Sequence, residues 1–339
     1  MRKVKVEESL GMILAHDLTK IEPGKFKGAK FKKGHLIREE DIELLKDAGK
    51  YHILALDLDE NQLHEEDAAI RIADAIKGNG IYTQGPSEGK VTLKAEYKGL
   101  LKVNVDALEK INSIDMVTLA TLHNNTLVEK DQAIAGTRII PLCIDKKVIE
   151  QVEELCSVNT HILDIKKLKS FKVGIVVTGT EVYEGRIKDK FGVVLENKAK
   201  YYGSTVVGLR YSKDDSEMIK GCIEELINEG ANLIFTSGGM SVDADDVTPI
   251  AIKESSDEVI SYGSPVLPGS MFMVAYRGDL PIIGVPACGM YHKITVLDLV
   301  LPRILAGERI TKNDMTKLGH GGLCLGCEVC TYPVCPLGK

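Results

Sequence analysis

With 339 residues, 44% of them apolar and 27% charged, the chain has the composition of a globular protein large enough for two or three domains. Its net charge of −6 comes without a basic tract, which argues against a nucleic-acid-binding protein, and no apolar run is long enough to predict a membrane span. The first residues lack the cleavage site of a signal peptide, so we expect a cytoplasmic protein.

Residues 1–60 predict a small N-terminal α+β unit. A short apolar element at 9–15 is followed by a hairpin-like entry at 31–37. Residues 38–49 predict a helix that Gly49 ends, and a strand follows at 51–56.

Residues 61–168 predict a mixed α+β middle domain. Alanine and isoleucine recur at helical spacing over 65–77, which predicts an amphipathic helix. The strands expected at 91–97 and 100–105 flank Lys98-Gly99, a hairpin signal. Further strands are expected at 117–122 and 137–144, and a helix at 146–155.

Residues 169–307 alternate strand and helix signals. Continuous apolar runs at 173–177, 206–209 and 233–235 predict a parallel sheet with helices on both faces, that is, a three-layer α/β/α domain. Asp214, with Glu217 three residues later, is the expected N-cap of the helix between the second and third runs. Two further strands at 271–276 and 281–285 lead to a helix expected over 290–306.

A glycine loop follows the third of these apolar runs. Ser237-Gly238-Gly239 would let the backbone turn sharply and present bare N–H groups to a ligand. The carboxylates Asp243, Asp245 and Asp246 come next, and they would repel a phosphate unless a divalent cation lay between them. The plainer alternative is a strand–loop–helix turn with solvated acids.

The stretch SGGMSVDADDVTP, residues 237–249, resembles the signature loop of the molybdopterin-binding domain shared by molybdopterin adenylyltransferases and molybdopterin molybdotransferases. Its SGGMSV part is closer to the molybdotransferase form and its DVTP part to the adenylyltransferase form. The resemblance covers about 171–307. It implies binding of molybdopterin or its adenylylated form, with Mg²⁺, and in the active form the insertion of molybdate into the adenylylated pterin.

The resemblance also implies roles for single residues. Asp246 and Glu181 match catalytic positions, and the glycine N–H groups would hold the pterin phosphate. All the candidate loops are expected at carboxyl ends of strands, where they could converge on one crevice. The candidate cofactor-binding residues are Gly179, Thr180, Asn197, Asp214, Asp215, Ser237, Gly238, Gly239, Ser241, Pro268, Gly269, Pro286 and Cys288.

Departures from the family pattern favour binding over turnover. Molybdotransferases flank a Pro-Gly pair with lysines, whereas here the flanks are Leu267 and Ser270. Where the family has Asp-Ser-Asn on the first helix, only Asn197 carries over. The amino-terminal substrate loop has no counterpart. Whether the chain is an enzyme, of the molybdotransferase kind if active, is therefore left open.

Residues 308–339 form a cysteine-rich tail with the pattern C-x2-C-x2-C-x4-C-P. The tail cysteines are Cys324, Cys327, Cys330 and Cys335, whereas the other four cysteines are scattered. In a cytoplasmic chain such crowding indicates metal binding rather than disulfides, and both zinc and an iron–sulfur cluster fit. Free thiols are the alternative. Because all the crevice loops precede Gly319, we expect the tail to be separate from the pterin site.

Together these features predict a pterin-cofactor-binding protein in molybdenum cofactor assembly or delivery. The expected partners are the pterin and molybdate, with a molybdoenzyme as a further candidate and with neither nucleic acid nor membrane. The alternative is a non-catalytic redox or scaffold protein that docks a molybdoenzyme through its tail. A homo-oligomer is also open.

Overall fold

The computed structural model describes residues 2–22, 26–56, 59–159, 161–241, 243 and 246–339. Contacts divide the chain into two units. Unit 1 consists of Met1–Tyr97, Leu101–Asn124 and Val128–Ile165, and unit 2 of Lys98–Leu100, Asn125–Leu127 and Lys166–Lys339. The four-part division expected from the sequence stays a prediction.

The first half of the chain contains fourteen strands, four α-helices and one 3₁₀ helix, Val6–Glu8, among its described residues. The strands are β1 Arg2–Lys5, β2 Ile13–Leu14, β3 Leu18–Glu22, β4 Phe26–Phe31, β5 His52–Leu56, β6 Gln62–His64, β7 Ile81–Ser87, β8 Lys90–Ala95, β9 Gly99–Val103, β10 Val117–Thr121, β11 Leu127–Val128, β12 Ala133–Ile139, β13 Cys143–Asp145 and β14 Leu163–Lys166. The helices are α1 Glu39–Asp47, α2 Glu65–Ile76, α3 Val105–Asn112 and α4 Lys146–Ser157.

These strands form several small sheets. Their orders are β1-β5-β2, β3-β4, β10-β12-β8-β7, β11-β9-β14 and β13-β6. The expected strands around Lys98-Gly99 exist, but the hairpin between them is wrong. Strand β8 pairs with β7 and β12, because the tight turn at Glu88 and Gly89, both with positive φ, joins β7 to β8 instead. The single strand expected at 137–144 is split between β12 and β13.

Unit 1 has two apolar cores. The larger one gathers the buried face of α2, including Ala69, Ile72 and Ile76, against the four-stranded sheet. A separate cluster near the N-terminus packs Leu14, Ile37, Leu45 and Ile53 together.

Unit 2 contains one six-stranded sheet and six helices in its described residues. The strands are β15 Lys172–Thr178, β16 Thr205–Ser212, β17 Leu233–Ser237, β18 Glu258–Tyr262, β19 Met273–Arg277 and β20 Leu280–Val285. The helices are α5 Thr180–Tyr183, α6 Phe191–Tyr201, α7 Ser216–Asn228, α8 Thr248–Glu254, α9 Val296–Leu305 and α10 Lys312–Lys317, and a 3₁₀ turn covers Ala287–Met290.

The sheet has the order β16-β15-β17-β20-β19-β18, in which the first four strands are parallel and β19 is antiparallel to both of its neighbours, β20 and β18. Two apolar clusters cover its two faces, one with α6 and α9 and the other with α7 and α8. The predicted three-layer α/β/α fold is therefore confirmed. The helix expected from residue 290 begins only at Val296, because Thr295 and Asp298 form a capping box there.

Within the described part of the chain, no helix combines the length and apolar character needed to cross a membrane.

Candidate functional site

The candidate site lies where the direction of strand addition in unit 2 reverses. From β15 the chain crosses to β16 on one side and then returns to β17 on the other side. The register places Thr178 opposite Ser212, and Ser237 opposite Val285, so four parallel strands end at one edge. Ligands of open α/β sheets bind outside the carboxyl ends of strands at such a switch point.

Asp214 joins the first two loops of this edge. Its Oδ2 accepts hydrogen bonds from the backbone N–H of Thr180, at 2.9 Å, and from the Thr180 hydroxyl, at 3.0 Å. Gly179, with φ of +140°, makes the turn that allows this approach, and its N–H donates to Ser212 O. The bonds hold the loop after β15 against the loop after β16.

Asp215 has a different task from the one expected. Asp215, not Asp214, is the N-cap of α7, and its side chain accepts from the Met218 N–H at 2.8 Å. The prediction of Asp214 as the cap was wrong by one residue. The prediction failed because the Asp214 side chain accepts a hydrogen bond from Thr180, which is distant in sequence and therefore not visible in the local pattern. Asp215 is thus occupied in capping, while Asp214 faces the crevice loops.

The glycine pair after β17 fits tightly into this arrangement. Gly238 has φ of +91°, and a Cβ there would lie 2.2 Å from Thr178 O. Gly239 has φ of +52°, and a Cβ there would lie 2.9 Å from the Thr248 hydroxyl and 3.5 Å from Asp214 Oδ1. Only glycine fits both positions without strain. The loop backbone therefore comes close to Oδ1 of Asp214, the carboxylate oxygen that does not bond to Thr180.

Ser237 ends β17 directly beneath this loop. It is fully buried, and among the described residues its hydroxyl has no hydrogen-bond partner. The neighbouring hydroxyls are paired, since Thr178 Oγ1 donates to Ser237 O at 3.1 Å and lies 3.0 Å from Thr248 Oγ1. Buried polar groups are normally paired, and exceptions concentrate where a ligand or water completes them.

Asp246 organises the second half of the loop. Its Oδ2 accepts from the N–H groups of Ser241, at 2.9 Å, and Asp243, at 3.2 Å. Tyr262 fixes the same loop from β18, donating to Met240 O and Ser241 O at 2.9 and 3.2 Å. Burial, and then the charge of Asp246, raises the pKa of Tyr262, so its hydroxyl stays a donor at neutral pH. Asp245 lies outside the described residues.

The remaining predicted residues stand further out on the same unit. Glu181 is exposed at the start of α5, and Asn197 is exposed on α6. Pro286 follows β20, and Cys288 is half-buried in the 3₁₀ turn, where burial raises the pKa of its thiol despite a hydrogen bond from its own backbone. A neutral thiol of this kind is a poor nucleophile at neutral pH.

Pro268 and Gly269 lie in the loop between β18 and β19, at the carboxyl end of β18, as expected. Because β19 is antiparallel to β20, with Met273 opposite Gly284, this loop also lies at the carboxyl edge of β20. Gly269, with φ of +134°, packs against Val296 of α9, where a Cβ would come within 2.5 Å of the valine side chain.

Sequence reasoning missed four supporting residues of unit 2. Thr248 lies inside the quoted signature stretch, so its hydroxyl could have been singled out. Tyr262 could not, because only the antiparallel pairing of β18 brings it to the loop. Nor could the ion pair of Lys198 with Asp298, at 2.6 Å, which ties α6 to α9 across 100 residues.

The tail is attached to unit 2 beside the Pro268 loop. Leu267 N donates to Gly322 O at 2.9 Å, and Cys324 N donates to Leu267 O at 2.8 Å. Leu337 is buried in the apolar core of this unit, at 3% exposure, and Gly338 N donates to Gly321 O at 2.9 Å. The tail therefore pairs with the backbone beside the Pro268 loop, and the expectation that it is separate from the pterin site stays a prediction.

All four tail cysteines line one cavity of about 330 Å³, opposite the segment 291–294. The described cysteines are free thiols. Within the described residues, no three His, Cys, Asp or Glu side chains are grouped so that they could hold a metal ion. The tail metal and the Mg²⁺ at the crevice stay predictions.

Two family descriptions match parts of the chain. Residues 174–306 match a probable molybdopterin binding domain, which confirms the resemblance noted in the sequence for this stretch. Residues 3–57 match a domain of unknown function, DUF8806.

Curated relatives match only a short stretch. Over 79 residues the chain is 38% identical to a CinA-like protein of Mycobacterium sp. (strain MCS) and 34% identical to a CinA-like protein of Mycobacterium tuberculosis (strain ATCC 25177 / H37Ra). Each match covers 23% of this chain. It covers 19% and 18% of those proteins, so the chain spans about a fifth of the length of the curated relatives it matches.

Solved structures resemble part of the chain, with a TM-score of 0.35 in each of three cases. The molybdopterin biosynthesis enzyme MoaB of Thermus thermophilus is 23% identical, over 41% of this chain and 98% of that one. The tungsten cofactor synthesizing protein MoaB of Pyrococcus furiosus is 19% identical, over 42% and 99%. The protein CinA of Thermoplasma acidophilum is 14% identical, over 40% and 98%.

Proposed function

We propose that the chain, whose residues 174–306 form a domain of the molybdopterin-binding family, binds molybdopterin or its adenylylated form at the carboxyl edge of β15 and β17. In this proposal it acts in the assembly or delivery of the molybdenum cofactor, in the cytoplasm. The observation that carries the proposal is the convergence of Thr180, Asp214 and Gly239 at the switch point of the sheet.

The pterin phosphate would lie against the glycine loop. Gly238 and Gly239 have no side chain to keep a ligand away from the backbone, and consecutive N–H groups in a tight turn form an anion-binding concavity. The buried hydroxyl of Ser237 lies directly before them and has a free donor among the described groups. Phosphate binding would give that donor a partner.

Mg²⁺ would be held by Asp214 and Asp246. These carboxylates supply the hard oxygen ligands that Mg²⁺ prefers. Asp214 uses Oδ2 for Thr180, and its Oδ1 is the oxygen nearer Gly239. Asp246 likewise uses Oδ2 for the loop N–H groups. When bound, the ion would neutralise phosphate oxygens during transfer.

Molybdate insertion into the adenylylated pterin is the catalytic form of this proposal. Molybdate would be a substrate, and the chain lacks the lysines that flank the Pro-Gly pair in molybdotransferases, since Leu267 and Ser270 stand there. Binding and delivery without turnover is therefore the form that the residues support better.

The substitution Asp246→Asn distinguishes pterin binding without turnover from molybdate insertion. The asparagine oxygen can still accept from the Ser241 and Asp243 N–H groups, so the loop should keep its shape while its charge is lost. In an anaerobic assay with Mg²⁺, molybdate and adenylylated pterin, an active parent should lose insertion on this change and keep pterin affinity within about tenfold. Asp279→Asn, at an exposed carboxylate, is the control. If the parent is inactive but binds pterin, the chain binds the cofactor without turnover. A parent that binds no pterin contradicts the proposal.

The alternative function, a scaffold or redox protein that docks a molybdoenzyme, is favoured by the surface of the tail. Leu325, Val329 and Val334 are 69%, 76% and 82% exposed next to the cysteine cavity. An apolar surface of this kind is typical of protein contacts. Val329→Asp should abolish co-elution with a purified molybdoenzyme on size-exclusion chromatography, whereas Val193→Asp, at an exposed valine of α6, should not. Absence of a complex with the parent would exclude the docking role for that enzyme. Any homo-oligomer would appear in the same elution profile.

A further inference from the structure

The four tail cysteines lie in the loop 321–338, which the hydrogen bond from Gly338 N to Gly321 O closes. The base of the loop is fixed at both ends, by the pairing of Cys324 with Leu267 and by the Gly338 to Gly321 bond. Cys324 and Cys335 pack against the core of unit 2, while Cys327 and Cys330 lie in the turn between them. The sulfur-bearing residues are therefore arranged around a cavity and not along an extended tail.

The positions of the four cysteines favour a polynuclear centre over a single ion, because among the described residues no three His, Cys, Asp or Glu side chains are grouped so that they could hold one metal ion. A structural zinc ion draws four sulfurs to about 2.3 Å from one point, which leaves no open volume between them. Here all four cysteines line one cavity of about 330 Å³, which eleven other residues also line. An iron–sulfur cluster is bound by thiolates on the walls of such a space, with its own iron and sulfide atoms filling the middle.

The lining and the spacing agree with this choice. The C-x2-C-x2-C run is the spacing by which three cysteines bind one cubane cluster, and the fourth cysteine precedes a proline. Ile294, Leu325 and Leu337 give the cavity an apolar wall. His292 and Lys293, whose side chains can donate hydrogen bonds, also line the cavity, and donors of this kind stabilise the negative charge of a thiolate-bound cluster.

We propose that Cys324, Cys327, Cys330 and Cys335 bind a single 4Fe–4S cluster. This inference does not rest on the pterin proposal, because the cavity is lined by residues 291–294 and 324–337 and not by the glycine loop. It does place the cluster in the same unit as the candidate crevice, on the segment that pairs with Leu267 beside Pro268.

The test is the metal and sulfide content of the full chain, purified anaerobically and then reconstituted with ferrous iron and sulfide. We expect about four iron and four acid-labile sulfide atoms per chain, with a broad visible absorption that dithionite bleaches. Cys327→Ser and Cys330→Ser, at positions in the turn outside the packed core, should each lower cluster content by more than half. Cys143→Ser and Cys222→Ser, at cysteines outside the tail, should leave it unchanged.

Three results would overturn the proposal. One is a single tightly bound zinc with no sulfide, the second is a metal-free chain whose tail cysteines form disulfides, and the third is full iron and sulfide content in both turn variants. Circular dichroism of each variant checks that it is folded, and a double Cys327→Ser, Cys330→Ser variant keeps the test decisive if one serine alone acts as a ligand. Pterin affinity is measured on the same samples, so a failure of the pterin proposal is seen separately.

Discussion

The carboxylate of Asp214 accepts both hydrogen bonds that Thr180 can donate, from its N–H at 2.9 Å and from its hydroxyl at 3.0 Å. This pair locks the loop after β15 to the loop after β16. It also leaves Asp214 Oδ1 near Gly239, the second glycine of the loop after β17. Two loops are thus bonded to each other and a third lies beside them before any ligand arrives, and preorganisation of this kind lowers the entropy that binding must offset.

The substitution Ser237→Ala tests whether the Ser237 hydroxyl contacts the ligand or only stabilises the fold. The buried hydroxyl has no partner among the described residues, so its removal should leave the free energy of unfolding unchanged or raise it by about 1 kcal/mol. If the hydroxyl donates to the pterin phosphate, the same change should weaken pterin binding by about tenfold, about 1.4 kcal/mol. Urea denaturation and calorimetric titration measure the two quantities.

Ser255→Ala is the matched control, because Ser255 is also buried with an unpaired hydroxyl but lies at the other end of α8. It should leave pterin affinity unchanged. Equal affinities for Ser237→Ala and the parent would remove Ser237 from the site.

Gly239→Val should obstruct the phosphate loop. A side chain there would meet the Thr248 hydroxyl at 2.9 Å and force a residue with φ of +52° out of its turn. We expect pterin affinity to fall by more than tenfold, measured by calorimetric titration. Gly203→Val carries a comparable strain, with φ of +83°, but a Cβ there would have no described residue beyond its chain neighbours within 4 Å, and the variant should bind pterin like the parent. A Gly239→Val protein with the affinity of the parent would refute the loop assignment.

Leu337→Ala tests whether the tail is part of the folded body of unit 2. Leu337 is 3% exposed in the core, so its truncation should lower the free energy of unfolding by about 2–5 kcal/mol. Val334→Ala, three residues earlier and 82% exposed, should change it by less than about 0.5 kcal/mol. Chemical denaturation followed by circular dichroism measures both. Similar small effects would mean that the tail is only loosely attached, and its removal would then spare the crevice, as the sequence suggested.

Helix α10, in the first part of the tail, should become less stable in acid. Although burial alone would raise it, hydrogen bonds from Thr311 and Arg303 lower the pKa of Asp314 to about 2. Because the folded pKa lies below the unfolded value of about 3.9, this stabilisation is complete above about pH 4 and is lost as pH falls through about 2. Allowing for solvent screening of a partly exposed pair, Asp314→Asn should cost about 1–2 kcal/mol at pH 7 and progressively less below pH 4.

Urea denaturation at several pH values measures this difference. Asp279→Asn, at a fully exposed carboxylate, should show almost none at any pH. A penalty for Asp314→Asn that did not shrink in acid would mean that its charge is not the cause.

The parts of unit 2 that depend on local pattern could be read from the sequence. Continuous apolar runs predicted β15 and β17, and the glycine pair predicted the turn where Gly238 passes Thr178 O. The parts that depend on distant pairing could not. The Asp214 bond to Thr180 spans 34 residues and displaced the cap to Asp215, and the Leu267 pairing with Leu323 spans more than 50.

The most direct measurement of the central claim is hydrogen–deuterium exchange of the full chain, with and without molybdopterin, under anaerobic conditions. Pterin bound at the switch point should slow exchange at 178–181 and 237–241, where Thr180 and Gly239 meet Asp214. Exchange in the four-stranded sheet of unit 1 should not change. Protection confined to unit 1, or no protection at saturating pterin, would contradict pterin binding at this edge.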